Sequence, residues 1–430
     1  MKVYVGGNEK IAGYDIVLIP GKNLYTGKNA FKEYFNGITS LEEDLLTLSC
    51  AVYATDLAVK RAELENYIRH IDLDIEIVNI HAMERIKPKL EQALYTLSCD
   101  NWTIRFLHAA GDAESKLEVE EKDGVVLLFS GGLDSLCGAA YYAEMNMPVV
   151  LVSHINMNRV TSGAQATLFE AIRAHYADVE IKRFEYRVNA RKYQDLEFPE
   201  EREDSQRTRS FLFLSLAALT ARRSGFNKII SIAENGQFAI HLPLSPARIG
   251  PFSTHTADPR FVKQVEGIFQ VVLGMDGLTI ENPFLYLTKA EILTSFPTAL
   301  KKIIPDSVSC WKASRIDASH CGECIPCFTR RIALEHHGIM IKEYETDVFK
   351  RNVEKLPNDN EGKRNIGDFL SFIVSFREGY LSDKSSLLYH YPELINEHFD
   401  FDQACEMYFR MTTQAIAVFD NYPNIKKILA

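Results

Sequence analysis

Two short stretches of this chain combine residue types and spacings that can do chemistry. The first is Ser130, Gly131, Gly132, Leu133, Asp134 and Ser135, preceded by five apolar residues at 125–129 and followed by a helix-like stretch at 136–145. A strand that breaks on two glycines and restarts as a helix builds an anion site. The glycines let the backbone come close to phosphate oxygens, and the free N–H groups of the helix start point at them. Ser130 and Ser135 add hydroxyl donors, and Asp134 can hold Mg²⁺ on a pyrophosphate. The spacing is not that of a Walker A loop, and no G-x-G-x-x-G occurs.

The second stretch holds Cys310, Cys321, Cys324 and Cys327, spaced C-x10-C-x2-C-x2-C. Two C-x2-C steps that share Cys324 put three thiolates in a tight turn, and Cys310 approaches from the preceding segment. That set suits Zn²⁺ in a closed tetrahedral site, with an iron–sulfur cluster as the rival. His320, His336 and His337 are surplus to it. Cys50, Cys99, Cys137 and Cys405 stand alone and read as small core residues.

The elements that must position these groups follow from periodicity. From residue 124 onward strands at 125–129, 148–154, 179–186 and 228–233 alternate with helices at 136–145, 165–176 and 206–224. That alternation predicts an α/β fold with a doubly wound parallel sheet. Ligands bind such sheets beyond the carboxyl ends of the strands, where the strand order reverses. The rule gathers residues 130–135, 153–156 and 234–236 on one rim. The proline-broken stretch 236–260 reads as a long loop placed over that rim.

Residues 1–122 precede this unit. Strands near 2–5, 15–19, 73–79 and 102–109 and helices near 41–70 and 82–97 predict an N-terminal α+β extension, with a charged linker at 112–123. The central unit runs over 123–344, and residues 345–430 predict a helical C-terminal extension. No apolar run reaches membrane-spanning length and the first residues lack a signal-peptide core, so a cytoplasmic protein is expected. A net charge of −10 argues against a general nucleic-acid binder.

The glycine loop is similar to the PP-loop, S-G-G-x-D-S, of ATP pyrophosphatases, which cleave ATP between the α- and β-phosphates. Three further stretches accompany it: R-S-F-L-F-L-S-L-A-A at 209–218, T-K-A-E-I at 288–292, and S-C-W…C-G-E-C-I-P-C at 309–327. In that order they make the chain from about 125 to 339 resemble QueC, the 7-cyano-7-deazaguanine synthase family. The resemblance implies ATP with Mg²⁺ at residues 130–135 and Zn²⁺ on the four cysteines, and the rim rule puts backbone groups around 153–155, those of Ser153 and His154 among them, against the adenine. It implies that a 7-deazaguanine carboxylate is adenylated, with Arg209, Arg260 or Lys289 holding the carboxylate. Arg209 matches the arginine of the family's G-R-N motif, with Ser210 in place of the asparagine. Asn235 falls in the G-x-N-A position. Asp258 and Arg260 look like the Y-P-D-C-R element that contacts the deazaguanine, with Thr256 and Pro259 replacing the tyrosine and the cysteine. Asp258 equally fits an N-cap for the helix that follows.

Both the added terminal regions and these departures look like the larger QueC-like proteins of bacterial defence operons, notably those of QatC type. That branch implies a protein partner from the same operon as acceptor, where the synthase itself uses ammonia. A zinc-stabilised scaffold that binds nucleotide without turnover is the reading of a different class.

Overall fold

A computed structural model describes residues 1–61, 68–113, 120–155, 159–226, 229–244, 257–313, 315–316 and 319–429. The chain begins with β1 (Lys2–Val5), β2 (Ile16–Leu18), β3 (Leu24–Tyr25), α1 (Lys28–Tyr34) and α2 (Ser40–Ala58). It continues through β4 (His70–Ile77), α3 (Ile80–Ser98) and β5 (Asn101–His108). Four of these strands form a sheet of order β2-β1-β4-β5, parallel throughout. The expected strands are present, and their parallel pairing means that the helices serve as crossovers. Helix α2 stops at Ala58, well short of the 41–70 pattern. Its start is sealed by a capping box in which Thr39 and Glu42 satisfy each other's backbone N–H. The remainder of that helix pattern falls partly on 62–67, and the linker at 112–123 partly on 114–119, both outside the described residues.

The central unit contains β6 (Val125–Leu128), α4 (Leu133–Glu144), β7 (Val149–His154), α5 (Arg159–His175), β8 (Ile181–Tyr186) and β9 (Asn189–Ala190). Next come α6 (Arg209–Ser224), β10 (Ile229–Ser231), α7 (Gly236–Ile240), α8 (Pro259–Leu273) and β11 (Thr279–Glu281). Its sheet has the order β11-β10-β6-β7-β8, all parallel. This is the expected doubly wound α/β arrangement. The chain winds outward through β7 and β8, then returns to β10 and β11 on the other side of β6. The strand order therefore reverses between β6 and β10, which puts a ligand crevice at their carboxyl ends.

The two sheets share one continuous core, to which α2, α3, α6 and α8 contribute. Within it lies a buried quartet of charges. Arg69 Nη2 reaches Asp56 at 2.5 Å and Asp100 at 2.6 Å, and Arg61 Nη2 reaches Asp100 at 2.5 Å. All four side chains are at most 4% exposed. The other oxygen of Asp56 accepts from Thr208 N at 2.8 Å and from Thr208 Oγ1 at 3.0 Å. The N-terminal unit thus grips the start of α6, one residue before Arg209. Asp56→Ala would take one of two buried carboxylates away from a pair of buried guanidiniums and is expected to lower unfolding free energy by about 3–5 kcal/mol. Thr208→Ala should cost only about 1 kcal/mol, the scale of one neutral hydrogen bond. Urea unfolding of both variants checks the contrast.

After α9 (Ile325–His336), which closes the central unit, the C-terminal part is helical, as expected: α10 (Glu361–Ser375), α11 (Lys384–His390) and α12 (Phe401–Phe419). These helices enclose a second core in which Phe328, Phe349, Phe369, Phe372 and Tyr408 meet. Among the described residues no helix is long and apolar enough to cross a membrane.

Candidate active site

The turn after β6 is tighter than its sequence suggests. Gly131 takes φ +79°, and a Cβ there would lie 2.9 Å from Gln165 Cγ. That left-handed step, open to glycine at little cost, lets α4 begin directly at Leu133 with Gly132 as its N-cap. Gly138 then allows α4 to lie against the end of β10, since a Cβ there would meet Ala233 Cβ at 2.4 Å. Asp134 consequently sits in the first helical turn and is only 13% exposed, not at an open loop tip.

The serine hydroxyls are placed to act together. Ser130 Oγ and Ser135 Oγ are 3.3 Å apart, and Gly132 N donates to Ser130 Oγ at 3.3 Å. Gln165 Nε2 donates to the Phe129 and Ser130 carbonyls at 3.3 and 3.4 Å. Ser153 is committed to the frame: its hydroxyl donates to Phe129 O at 2.9 Å.

At the predicted crevice lies a cavity of about 300 Å³, lined by Ser130, Ser135, His154, Gln165, Arg209 and Glu234 among others. Arg209 is the first residue of α6 and its guanidinium lies 5.5 Å from the Phe213 ring centre. Burial pushes the pKa of His154 down by disfavouring its charged form. This cavity brings together Ser130, Ser135, His154 and Arg209, four of the residues singled out from sequence.

A polar cluster forms beside it. Lys289 Nζ, 3% exposed, pairs with Asp134 Oδ2 at 2.6 Å. Asn235 Nδ2 donates to the same oxygen at 3.0 Å. Lys289 is therefore the counterion of Asp134. Asn235 Oδ1 is buried without a hydrogen-bond partner in the protein, and the Glu234 carboxyl lies within hydrogen-bonding reach of Asp134. Glu234, which strand order puts on the rim, is the member to which sequence assigns no role. Burial and the adjacent Asp134 push its carboxyl up to about 8.

Asp258 and Arg260 lie elsewhere. Asp258 is fully buried and caps α8, accepting from Arg260 N at 2.9 Å. The Arg260 side chain folds back onto it, with Nη2 to Oδ2 at 2.8 Å. Arg260 also lines a separate open cavity of about 720 Å³ between α3, α8 and residues 395–398. The local sequence dictates this cap, because Asp before Pro at the first helical position is a strong helix start. Thr256 and residues 245–255 of the long loop are outside the described residues.

The four cysteines converge. Their sulfur atoms all lie within 4.8 Å of one another, with Cys310 to Cys324 and Cys321 to Cys327 each at 3.9 Å. These separations are too long for disulfides and suit four thiolates around one ion. Backbone N–H groups of Lys312 and Cys321 donate to Cys310 Sγ at 3.3 and 3.4 Å. Those of Glu323 and Cys324 donate to Cys321 Sγ at 3.3 and 3.4 Å. Such donors stabilise thiolate charge, so the donor set fits Zn²⁺. His320 takes no place in the set: its Nε2 accepts from Ser309 N at 3.2 Å, and burial pushes its pKa down to about 3. The element is joined to the glycine turn through Val308 N, which donates to Gly131 O at 2.9 Å.

The family model described as "Queuosine biosynthesis protein QueC" matches residues 124–338, half of the chain. No curated protein matches it.

Proposed function

Because this chain belongs to the QueC family, a family of ATP-using synthases, we propose that it adenylates the carboxylate of a 7-deazaguanine and passes the acyl group to an amine of a partner protein. The observation that carries the reading is Asp134: a charged carboxylate in the first turn of α4, paired with buried Lys289, beside a cavity at the sheet's reversal point.

The residues divide the work. Backbone N–H groups at the start of α4, with Ser130 and Ser135, bind phosphate oxygens. Asp134, in the first turn of α4, would hold Mg²⁺. That ion supplies positive charge to the leaving pyrophosphate. Arg209, exposed at the cavity wall, orients an anionic oxygen of nucleotide or substrate. Ser210, which replaces the family asparagine, and the long connection from 236 to 260 favour an acceptor other than ammonia. The extra half of the chain supports a partner protein in that place.

The test incubates protein, ATP, Mg²⁺ and 7-carboxy- or 7-cyano-7-deazaguanine, with and without the products of neighbouring genes. AMP and pyrophosphate are expected, together with a deazaguanine mass added to a partner protein. Efficient release of free nitrile from ammonia alone would assign the synthase reaction instead. ADP as product would remove adenylation altogether.

A further inference from the structure

Trp311 is large, aromatic and 57% exposed, and no step above uses it. It follows the metal-site residue Cys310, and the next residue, Lys312, donates its N–H to the Cys310 sulfur at 3.3 Å. The indole is therefore mounted on a rigid turn. That turn begins beside the glycine loop, since Val308, three residues earlier, is bonded to Gly131. On the inner side Trp311 meets Phe238 edge to face, with ring centres 6.4 Å apart and planes at 75°. Phe238 in turn covers Lys289, whose Nζ lies 5.4 Å from the ring centre. A continuous line of contacts thus runs from Asp134 through Lys289 and Phe238 to an indole facing solvent. Arg209 and His154 line the loop cavity, whereas Trp311 and Phe238 are not among its lining residues.

We propose that Trp311 and Phe238 form the subsite for the substrate's planar base, with the indole stacked on the ring and the substrate carboxylate directed toward the loop. An exposed, rigidly held indole offers a π-face at little entropic cost, and stacking a base on it is favourable without sequence-specific hydrogen bonds. The subsite takes flat heteroaromatic rings of purine size. Its location relative to the reacting phosphate rests on the adenylation reading, but binding of the base does not.

Fluorescence separates the two. The chain has two tryptophans, and the other, Trp102, is 6% exposed within the N-terminal core. Titrating the full-length protein with 7-carboxy-7-deazaguanine, without ATP, is expected to quench the red-shifted emission of Trp311. Trp311→Ala should remove that quenching and weaken binding about tenfold or more, while Trp311→Phe retains part of the affinity. At this exposed position both variants are expected to fold, and circular dichroism with a thermal melt checks it. Unchanged affinity in Trp311→Ala overturns the subsite. So does quenching by ATP alone with none by the deazaguanine, which would place adenine on this indole. Quenching by the deazaguanine with no pyrophosphate released on adding ATP and Mg²⁺ supports the subsite and removes the adenylation reading. Pyrophosphate released with the deazaguanine and no change in Trp311 emission does the reverse.

Discussion

Asp134→Ala is expected to cut pyrophosphate release by a factor on the order of 10³, the scale seen when a preorganised electrostatic group is lost. The same substitution should destabilise the fold. Asp134 and Lys289 are 13% and 3% exposed, so removing the carboxylate leaves a lysine buried without its counterion. Breaking such a pair costs about 3–5 kcal/mol. The two effects can be pulled apart by adding Lys289→Met. The double variant no longer buries a lone charge and should recover most of the lost stability, yet pyrophosphate release stays absent. Single-turnover pyrophosphate release and thermal melting read the two quantities independently. A normal release rate in Asp134→Ala would show that the carboxylate does not hold the cation.

Loss of the metal from the cysteine site should have the largest effect on stability. Purified protein is expected to carry about one Zn²⁺ per chain, since four converging thiolates make a closed site. Binding free energies at such sites reach about 10 kcal/mol, comparable with the entire stability of a domain. Cys324→Ser, or removal of the ion by a strong chelator, should therefore reduce soluble yield and lower the melting temperature before any defined catalytic step is affected. The damage has a route to the nucleotide site. Arg330 is 2% exposed and is held by Ser307 Oγ at 2.7 Å and the Ile304 carbonyl at 2.8 Å, in the segment that delivers Val308 to Gly131. Hydrogen exchange should accordingly rise both at 304–313 and in the glycine turn. Elemental analysis showing iron, with visible charge-transfer bands, would exclude the zinc assignment.

Much of the architecture was legible because its signals are local. The apolar run at 125–129, the double glycine and the C-x2-C steps each encode their own geometry within a few residues. The reversal rule then placed the cavity correctly from strand order alone. What escaped depends on contacts distant in sequence. β11 is three residues, Thr279, Ile280 and Glu281, too short to show alternation, and it exists because β10 pairs with it. In sequence Lys289 reads as a candidate for the substrate carboxylate or as a plain helix-start residue, and only tertiary packing brings it 155 positions back to Asp134. Asp258 carries two signals at once. A family-like motif suggested a ligand contact, while the local Asp-Pro signal for a helix cap describes where the side chain is.

The bolting of α12 onto the central unit bears on how this protein can be taken apart. Tyr408 OH accepts from Leu242 N at 2.9 Å, and Arg410 Nε donates to Glu291 at 2.6 Å and through Nη2 to the Tyr286 carbonyl at 2.9 Å. These bonds hold the stretches on either side of Asn235 and Lys289, while Asp56 holds α6 from the opposite end of the chain. The boundary of inherited sequence and the boundary of mechanical support do not coincide. Residues 124–338, excised alone, would carry every recognisable motif and lose the braces that keep them in register. Terminal regions of this kind are not interchangeable cartridges: a chimaera that swaps one of them must also carry the partner surface on the central unit against which it was fitted.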